Sequence, residues 1–211
     1  MVCGREGDWV CSRCFDKIEF INTPICFKCG KLSPNFEVCS VCKRKHSLKR
    51  VITCAHWQDP AKTIVYQLKY RKIFAVADKL GALMAVNLHK YKPMDAVLVP
   101  VPLHKFKLWQ RGFNQSEHLA NEVHRYLNIS VCNCLARVKN TRPQFGLDKN
   151  LRPSNVAGAF CFVSKFKNSI LGKRVILIDD VVATGSTISE CAKVLKQAGA
   201  REVWGLILAK A

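Results

Sequence analysis

Two constellations in this 211-residue chain have residue types and spacings suited to chemistry. The first is VILIDDVVATGSTI, residues 175–188, where an apolar run meets two adjacent carboxylates, Asp179 and Asp180, and then a loop of small, hydroxyl-rich residues. In open parallel sheets ligands bind beyond the carboxyl ends of the strands, and the turn into the next helix presents backbone N–H groups to an anion. Thr184-Gly185-Ser186-Thr187 stands where those donors belong: the glycine permits close backbone approach and the three hydroxyls add donors. Carboxylates disfavour an anion. They suit vicinal hydroxyls or a hydrated Mg²⁺, roughly one sugar away from the phosphate, and a ribose 5-phosphate has that layout. The plain alternative is a strand-to-helix turn with aspartate as a helix cap.

The second constellation is cysteine. There are 12, and the pairs Cys11/Cys14, Cys26/Cys29 and Cys39/Cys42 all have C-x2-C spacing, with Cys3 just ahead of them. No basic segment followed by an apolar core opens the chain, so the reading is a cytoplasmic protein with reduced thiols free to hold structural Zn²⁺. Nine residues separate Cys29 from Cys39, and Gly30 follows one knuckle, which is ribbon-like spacing for a site of four thiolates. Cys26, Cys29, Cys39 and Cys42 are therefore the strongest metal assignment. Cys11 and Cys14 need further ligands: Cys3 supplies one, and His46, Cys54 or a crossed pairing with Cys39 and Cys42 are the alternatives. Cys3-Gly4 has the form of half a C-x2-C-G knuckle whose first cysteine precedes Met1, so an upstream natural start is expected. Cys132, Cys134, Cys161 and Cys191 read as small buried apolar residues.

The elements that must position these groups follow from composition and periodicity. Turn residues crowd residues 1–50, which lack the apolar periodicity for a core of their own and need metal. Residues 51–57 alternate as a strand, and 60–69 and about 73–88 have helical spacing. Then come a strand over 95–102, an amphipathic helix over 116–127, a strand over 129–138, a polar loop over 139–155, an apolar stretch over 158–163, a strand over 175–178, a helix over 187–198 and a last strand over 202–209. Alternating strands and helices predict an α/β fold with a mainly parallel sheet flanked by helices over 51–211, joined to a zinc-ribbon-like module over 1–50. Lys and Arg number 34 against 15 Asp and Glu, a formal +19 that favours polyanionic partners, with 18 basic and 6 acidic residues in 51–170. No apolar stretch is long enough to span a membrane, so no membrane insertion is expected.

VILIDDVVATGST resembles the phosphoribosyl pyrophosphate (PRPP) motif of type I phosphoribosyltransferases. The resemblance implies that Asp179 and Asp180 hold the ribose hydroxyls and that Ala183, Thr184, Gly185, Ser186 and Thr187 wrap the 5-phosphate. Ala183 stands where such proteins often have a second threonine. VPVPLHKFKLWQRGFNQSEHLA (99–120) and TRPQFGLDKNLRPSNVAGAF (141–160) resemble the ComF-type phosphoribosyltransferase-like proteins, which pair a cysteine-rich finger with this domain. That resemblance implies PRPP with Mg²⁺ as ligand, natural transformation as context, and single-stranded DNA and a DNA-translocating ATPase as partners. Beside it, Lys105, Lys107 and Arg111 in the segment after strand 95–102, and Lys69 from the preceding helix, are candidates to neutralise the pyrophosphate; solvated lysines are the alternative. Gln144, Arg152 and Asn155, in the region of the hood of related enzymes, are candidates for the acceptor side. Trp57, Tyr66, Trp109 and Phe113 are available for stacking on bases or for packing. Two rival readings stay open: a non-catalytic module for a phosphorylated ligand or single-stranded DNA, and a zinc-ribbon scaffold for partner proteins.

Overall fold

A computed structural model describes residues 9–44, 47–71, 73–140 and 156–211. In chain order its elements are α1 (Ser12–Asp16), α2 (Ser40–Lys43), β1 (Leu48–His56), α3 (Ala61–Arg71), α4 (Ala75–His89), β2 (Ala96–Pro100), α5 (Lys105–Arg111), α6 (Gln115–Leu127), β3 (Leu135–Arg137), β4 (Phe160–Phe162), α7 (Lys167–Ile170), β5 (Arg174–Val182), α8 (Ser186–Gln197) and β6 (Glu202–Lys210). Strands β1, β6, β5 and β2 lie side by side in that order, all parallel, and β3 pairs antiparallel with β4.

A sheet covered on both faces needs strands that are apolar throughout, and β5 is one. Ile176 and Ile178 face the side packed by α3, α4 and α6, whereas Val175 and Leu177 face α8 and the β3–β4 pair. Helices α4 and α6 cross closely because Gly81 has no Cβ: one placed there would meet Glu122 Cβ at 2.2 Å. Helix α6 begins where the Asn114 side chain accepts from the Ser116 N–H at 3.1 Å, while the Asn114 amide donates to Val101 O at 3.1 Å. One side chain therefore caps the helix and ties it to the end of β2.

The N-terminal residues do not stand apart. Ile21 N–H donates to Cys54 O at 2.9 Å, His56 N–H to Glu19 O at 2.9 Å and Val38 N–H to Lys49 O at 2.8 Å, which covers the edge strand β1 with backbone. Val10, Cys14, Ile18, Ile21 and Phe36 join the core on one face of the sheet; Cys26, Phe27 and Val38 join it on the other. Residues too few to form a core are thus stabilised by sharing the sheet's core as well as by any metal.

Three expected elements differ. The strand expected over 175–178 runs on to Val182, because pairing with β6 continues through Asp179 with Ile207 and Val181 with Ala209. The strand expected over 129–138 divides: Val131 bridges to Leu98, the chain then leaves that edge, and only Leu135–Arg137 pairs with β4. The segment carrying Lys105, Lys107 and Arg111 is helix α5, capped by the His104 side chain, which accepts from Phe106 N–H at 3.3 Å, and closed by Gly112 in the left-handed region.

Candidate ligand site and metal centre

The acidic pair lies inside the β5 ladder. Asp179 accepts from Ser116 Oγ, in the first turn of α6, at 3.0 Å and from the Asp180 N–H at 3.0 Å. Asp180 points to the α3 side, where Lys69 Nζ lies 2.7 Å from Oδ2. Among the described residues that oxygen receives no well-directed hydrogen bond, so the attraction is coulombic. Both carboxylates are buried. Burial first, then the charge of Asp180, push the Asp179 carboxyl up to about 7, against the pull of Lys69, Ser116 and the Asp180 N–H. Two buried carboxylates with one ammonium between them leave acceptors that sugar hydroxyls suit.

Immediately beyond, Gly185 adopts φ 77° at the N-cap of α8, so the amino end of that helix, where the backbone N–H dipoles favour an anion, adjoins the Thr184 and Ser186 hydroxyls, which lie 2.9 Å apart. Hydroxyl acceptors and an anion cradle thus adjoin at the carboxyl end of a central strand.

The cations stand around this end of the sheet. Arg111 donates to Gln115 Oε1 at 2.5 Å, and its guanidinium lies 5.4 Å from the Tyr70 ring centroid. Lys107 is lowered by burial and then by the charges of Arg137 and Arg111, so these three share one region. Lys105 is exposed on the first turn of α5. Cations held together against their own repulsion make this region a candidate anion site. Gln144, Arg152 and Asn155 lie outside the described residues, as do Cys3 and His46.

Four residues of this region escape sequence reasoning. Ser116 is fully buried and touches Asp179 only because α6 packs across β5. Arg137 is lowered by burial and raised by the fields of Cys191 and Asp179, which puts a guanidinium on the Asp179 side. Phe27 packs on Gly185, and Lys28 Nζ donates to Thr184 O at 3.3 Å. The F-K dipeptide inside a C-x2-C-G knuckle was the available signal for the last two. Of the aromatics, Phe113 is buried while Tyr66 and Trp109 are exposed. His118 stacks on Phe74 at 4.5 Å.

The Sγ atoms of Cys26, Cys29, Cys39 and Cys42 all lie within 4.8 Å of one another, and those of Cys29 and Cys39 are 3.6 Å apart. Tetrahedral zinc with Zn–S of about 2.3 Å requires S–S separations of about 3.8 Å, so the set fits a Zn²⁺ tetrathiolate. Burial alone would raise the Cys26 thiol, but N–H groups of Cys39, Cys29 and Lys28 outweigh it and lower the thiol to about 6, favouring the thiolate a metal takes. Among the described residues no other group of three or more Cys, His, Asp or Glu converges in this way. Cys39 and Cys42 lie with Cys26 and Cys29, the grouping that the spacing favours over the crossed pairing. Cys54 is sealed in the core, where burial pushes it up to about 12, and Cys14 is buried in the same cluster. Cys132, Cys134 and Cys191 are buried as expected, but Cys161 is exposed, since β4 turns its middle residue outward.

Residues 114–209 match the phosphoribosyl transferase domain family, and with the parallel sheet and the acidic strand-to-helix turn this defines a type I phosphoribosyltransferase fold. Among its relatives, competence protein F of Haemophilus influenzae is 34% identical over 208 residues, spanning 93% of this chain and 89% of that protein. DNA utilization protein YhgH of Escherichia coli (strain K12) is 30% identical over 211 residues, spanning 95% and 91%. Competence protein ComFC of Bacillus subtilis (strain 168) is 28% identical over 203 residues, spanning 92% and 81%. The chain belongs to the competence protein F family of phosphoribosyltransferase-like proteins. Among the described residues no helix is long and apolar enough to cross a membrane.

Proposed function

We propose that this chain binds PRPP at the carboxyl end of β5 and serves DNA uptake in the cytoplasm. The observation that carries the reading is the buried acidic pair held by Ser116 and Lys69 directly beside the Gly185 turn. Asp179 and Asp180 accept from the two ribose hydroxyls, and the first turn of α8 with Thr184, Ser186 and Thr187 holds the 5-phosphate. Lys69, Lys105 and Arg111 are assigned to the pyrophosphate, and Gln144, Arg152 and Asn155 to the acceptor side. The hard oxygens of Asp179 and Asp180 also suit Mg²⁺, which when bound with PRPP neutralises the charge of the leaving pyrophosphate. If transfer follows, the residues act by positioning and by charge, and none need attack the sugar. Titrating the zinc-loaded protein with PRPP, then following pyrophosphate release with a panel of nucleobases, tests both parts. Absence of PRPP binding sinks the whole reading; binding without release in any mixture confines it to a ligand-binding role.

Single-stranded DNA is the second ligand, favoured by exposed aromatics set among cations. Tyr66 and Tyr70 pack at 4.8 Å, Phe106 and Trp109 at 6.3 Å, and Trp109 is 81% exposed. Such rings offer stacking platforms beside Lys105, Lys107 and Arg111. The expected behaviour is strongly salt-dependent binding with little sequence preference, weakened by Trp109→Ala. A flat response to salt would move DNA contact to a partner, for which a DNA-translocating ATPase is the proposed class. The metal module, residues 1–50 in this reading, carries one firm Zn²⁺ at Cys26, Cys29, Cys39 and Cys42, and Cys3, Cys11 and Cys14 contribute to a second, weaker site.

A further inference from the structure

The phosphate cradle is short of positive charge. From Val181 to Cys191 the one charged residue is Glu190, and Lys193 is the first cation after the loop. A phosphate monoester held only by N–H groups and hydroxyls lacks the charged partner that such sites commonly use. Across the fold, the metal knuckle CFKCG reaches this loop. Cys26 N–H donates to Lys31 O at 2.8 Å, Gly30 N–H to Cys26 O at 2.9 Å, and Gly30 has φ 74°, so Phe27 and Lys28 sit on a tight turn pinned at both ends by thiolates of the metal set.

Each of these two residues meets the loop. The Phe27 ring is buried in the same apolar cluster as Val182 and Ile188, which flank the turn. A Cβ on Gly185 would lie 2.3 Å from Phe27 Cε2 and 3.0 Å from Cδ2. Gly185 is therefore required twice, by its left-handed φ and by the ring against it. Lys28 is exposed, and its hydrogen bond to Thr184 O, at 3.3 Å, is a long bond in water that an anion outcompetes.

We propose that the metal knuckle is part of the phosphate site: Phe27 is a positioning residue that fixes the Gly185 turn, and Lys28 is the cation for the ligand's 5-phosphate. The proposal rests on the PRPP reading. It makes the zinc module a wall of the ligand pocket, so ligand affinity depends on a metal that never touches the ligand.

The test uses the zinc-loaded full chain, with ribose 5-phosphate and PRPP as titrants and zinc content measured for every variant. Lys28→Ala is expected to weaken both ligands about tenfold with zinc retained, and Lys28→Arg to restore most of the loss. Phe27→Leu keeps apolar volume but loses the ring. With zinc retained, it is expected to weaken both ligands and to speed hydrogen exchange at the amides of residues 183–188. Unchanged affinity in Lys28→Ala overturns the cation role, and unchanged loop exchange in Phe27→Leu overturns the positioning role. Failure of the unaltered protein to bind either ligand refutes the PRPP reading and the cation role with it. The exchange comparison still decides the Phe27 contact.

Discussion

The two ends of the parallel sheet handle charge in opposite ways. At the amino ends of the strands, Trp204 lies between two guanidinium groups, Arg50 at 4.3 Å and Arg174 at 4.4 Å from its ring. Each arginine is answered by a carboxylate: Glu37 lies 3.1 Å from Arg50, and Glu202 accepts from Arg174 Nε. Although burial would raise Glu202, the hydrogen bond and charge of Arg174 lower it, as a satisfied ion pair does. At the carboxyl ends, Asp179 is pushed up to about 7 beside Asp180, with Lys69 as their near cation, while Lys107, Arg111 and Arg137 repel one another close by. At the amino ends each charge is answered within the chain, whereas at the carboxyl ends like charges gather in two clusters.

That contrast can be broken most forcefully at the closed end. Trp204→Ala leaves a cavity and two guanidinium groups without their ring, and is expected to cost about 3–5 kcal/mol of stability. Chemical denaturation reads the loss, while PRPP affinity of the folded fraction stays unchanged; a selective loss of affinity would erase the distinction between the ends. At the open end, Asp179→Asn with Asp180→Asn removes the hydroxyl acceptors, and PRPP affinity is expected to fall about a hundredfold, roughly 3 kcal/mol. Calorimetry on the folded double variant checks this.

A finer probe is pH. Asp179 has a folded pKa of about 7, above the 3.8 of an ordinary aspartate, so the native state binds more protons than the unfolded chain between those values. Its contribution to stability is therefore complete below the unfolded pKa and is lost as pH rises through the folded one. Asp179→Asn alone should be more stable than the parent by about 1–3 kcal/mol at pH 8, with the advantage shrinking toward pH 4. PRPP affinity of the parent should strengthen across pH 6–8 as the carboxylate forms. Parallel stability profiles for parent and variant would place the proton elsewhere. The smallest effect is Glu37→Gln, whose partly exposed pair with Arg50 is expected to contribute about 1 kcal/mol or less and nothing to ligand binding.

How much of this was legible in the sequence depends on whether the information is local. The acidic pair and its turn were, because a strand-to-helix loop is written in consecutive residues, and the cysteine quartet was in part, because spacing favours it while leaving a crossed pairing with Cys11 and Cys14 open. Strand β5 proved longer than its apolar run, because ladder pairing with β6 tolerates two carboxylates that hydrophobicity would exclude. Helix α5 was missed, since KFKLWQR is cationic and short and its identity lies in the His104 cap and the Gly112 stop. Ser116 comes to the site from α6, Arg137 from β3, and Phe27 and Lys28 from one turn of the cysteine knuckle, and no periodicity along the chain announces such meetings.

The strand order also sets the order in which the molecule can be completed. Strand β6 lies between β1 and β5, yet it is synthesised after both. Until it emerges, β1 and β5 each present an unpaired inner edge, and the cysteine-rich segment, which leans on β1, has only part of its support. Closing the sheet joins residues 48–56 to 202–210, a contact of high sequence separation that folds slowly and leaves sticky edges open meanwhile. During synthesis the Gly185 turn therefore follows a strand that still lacks one neighbour.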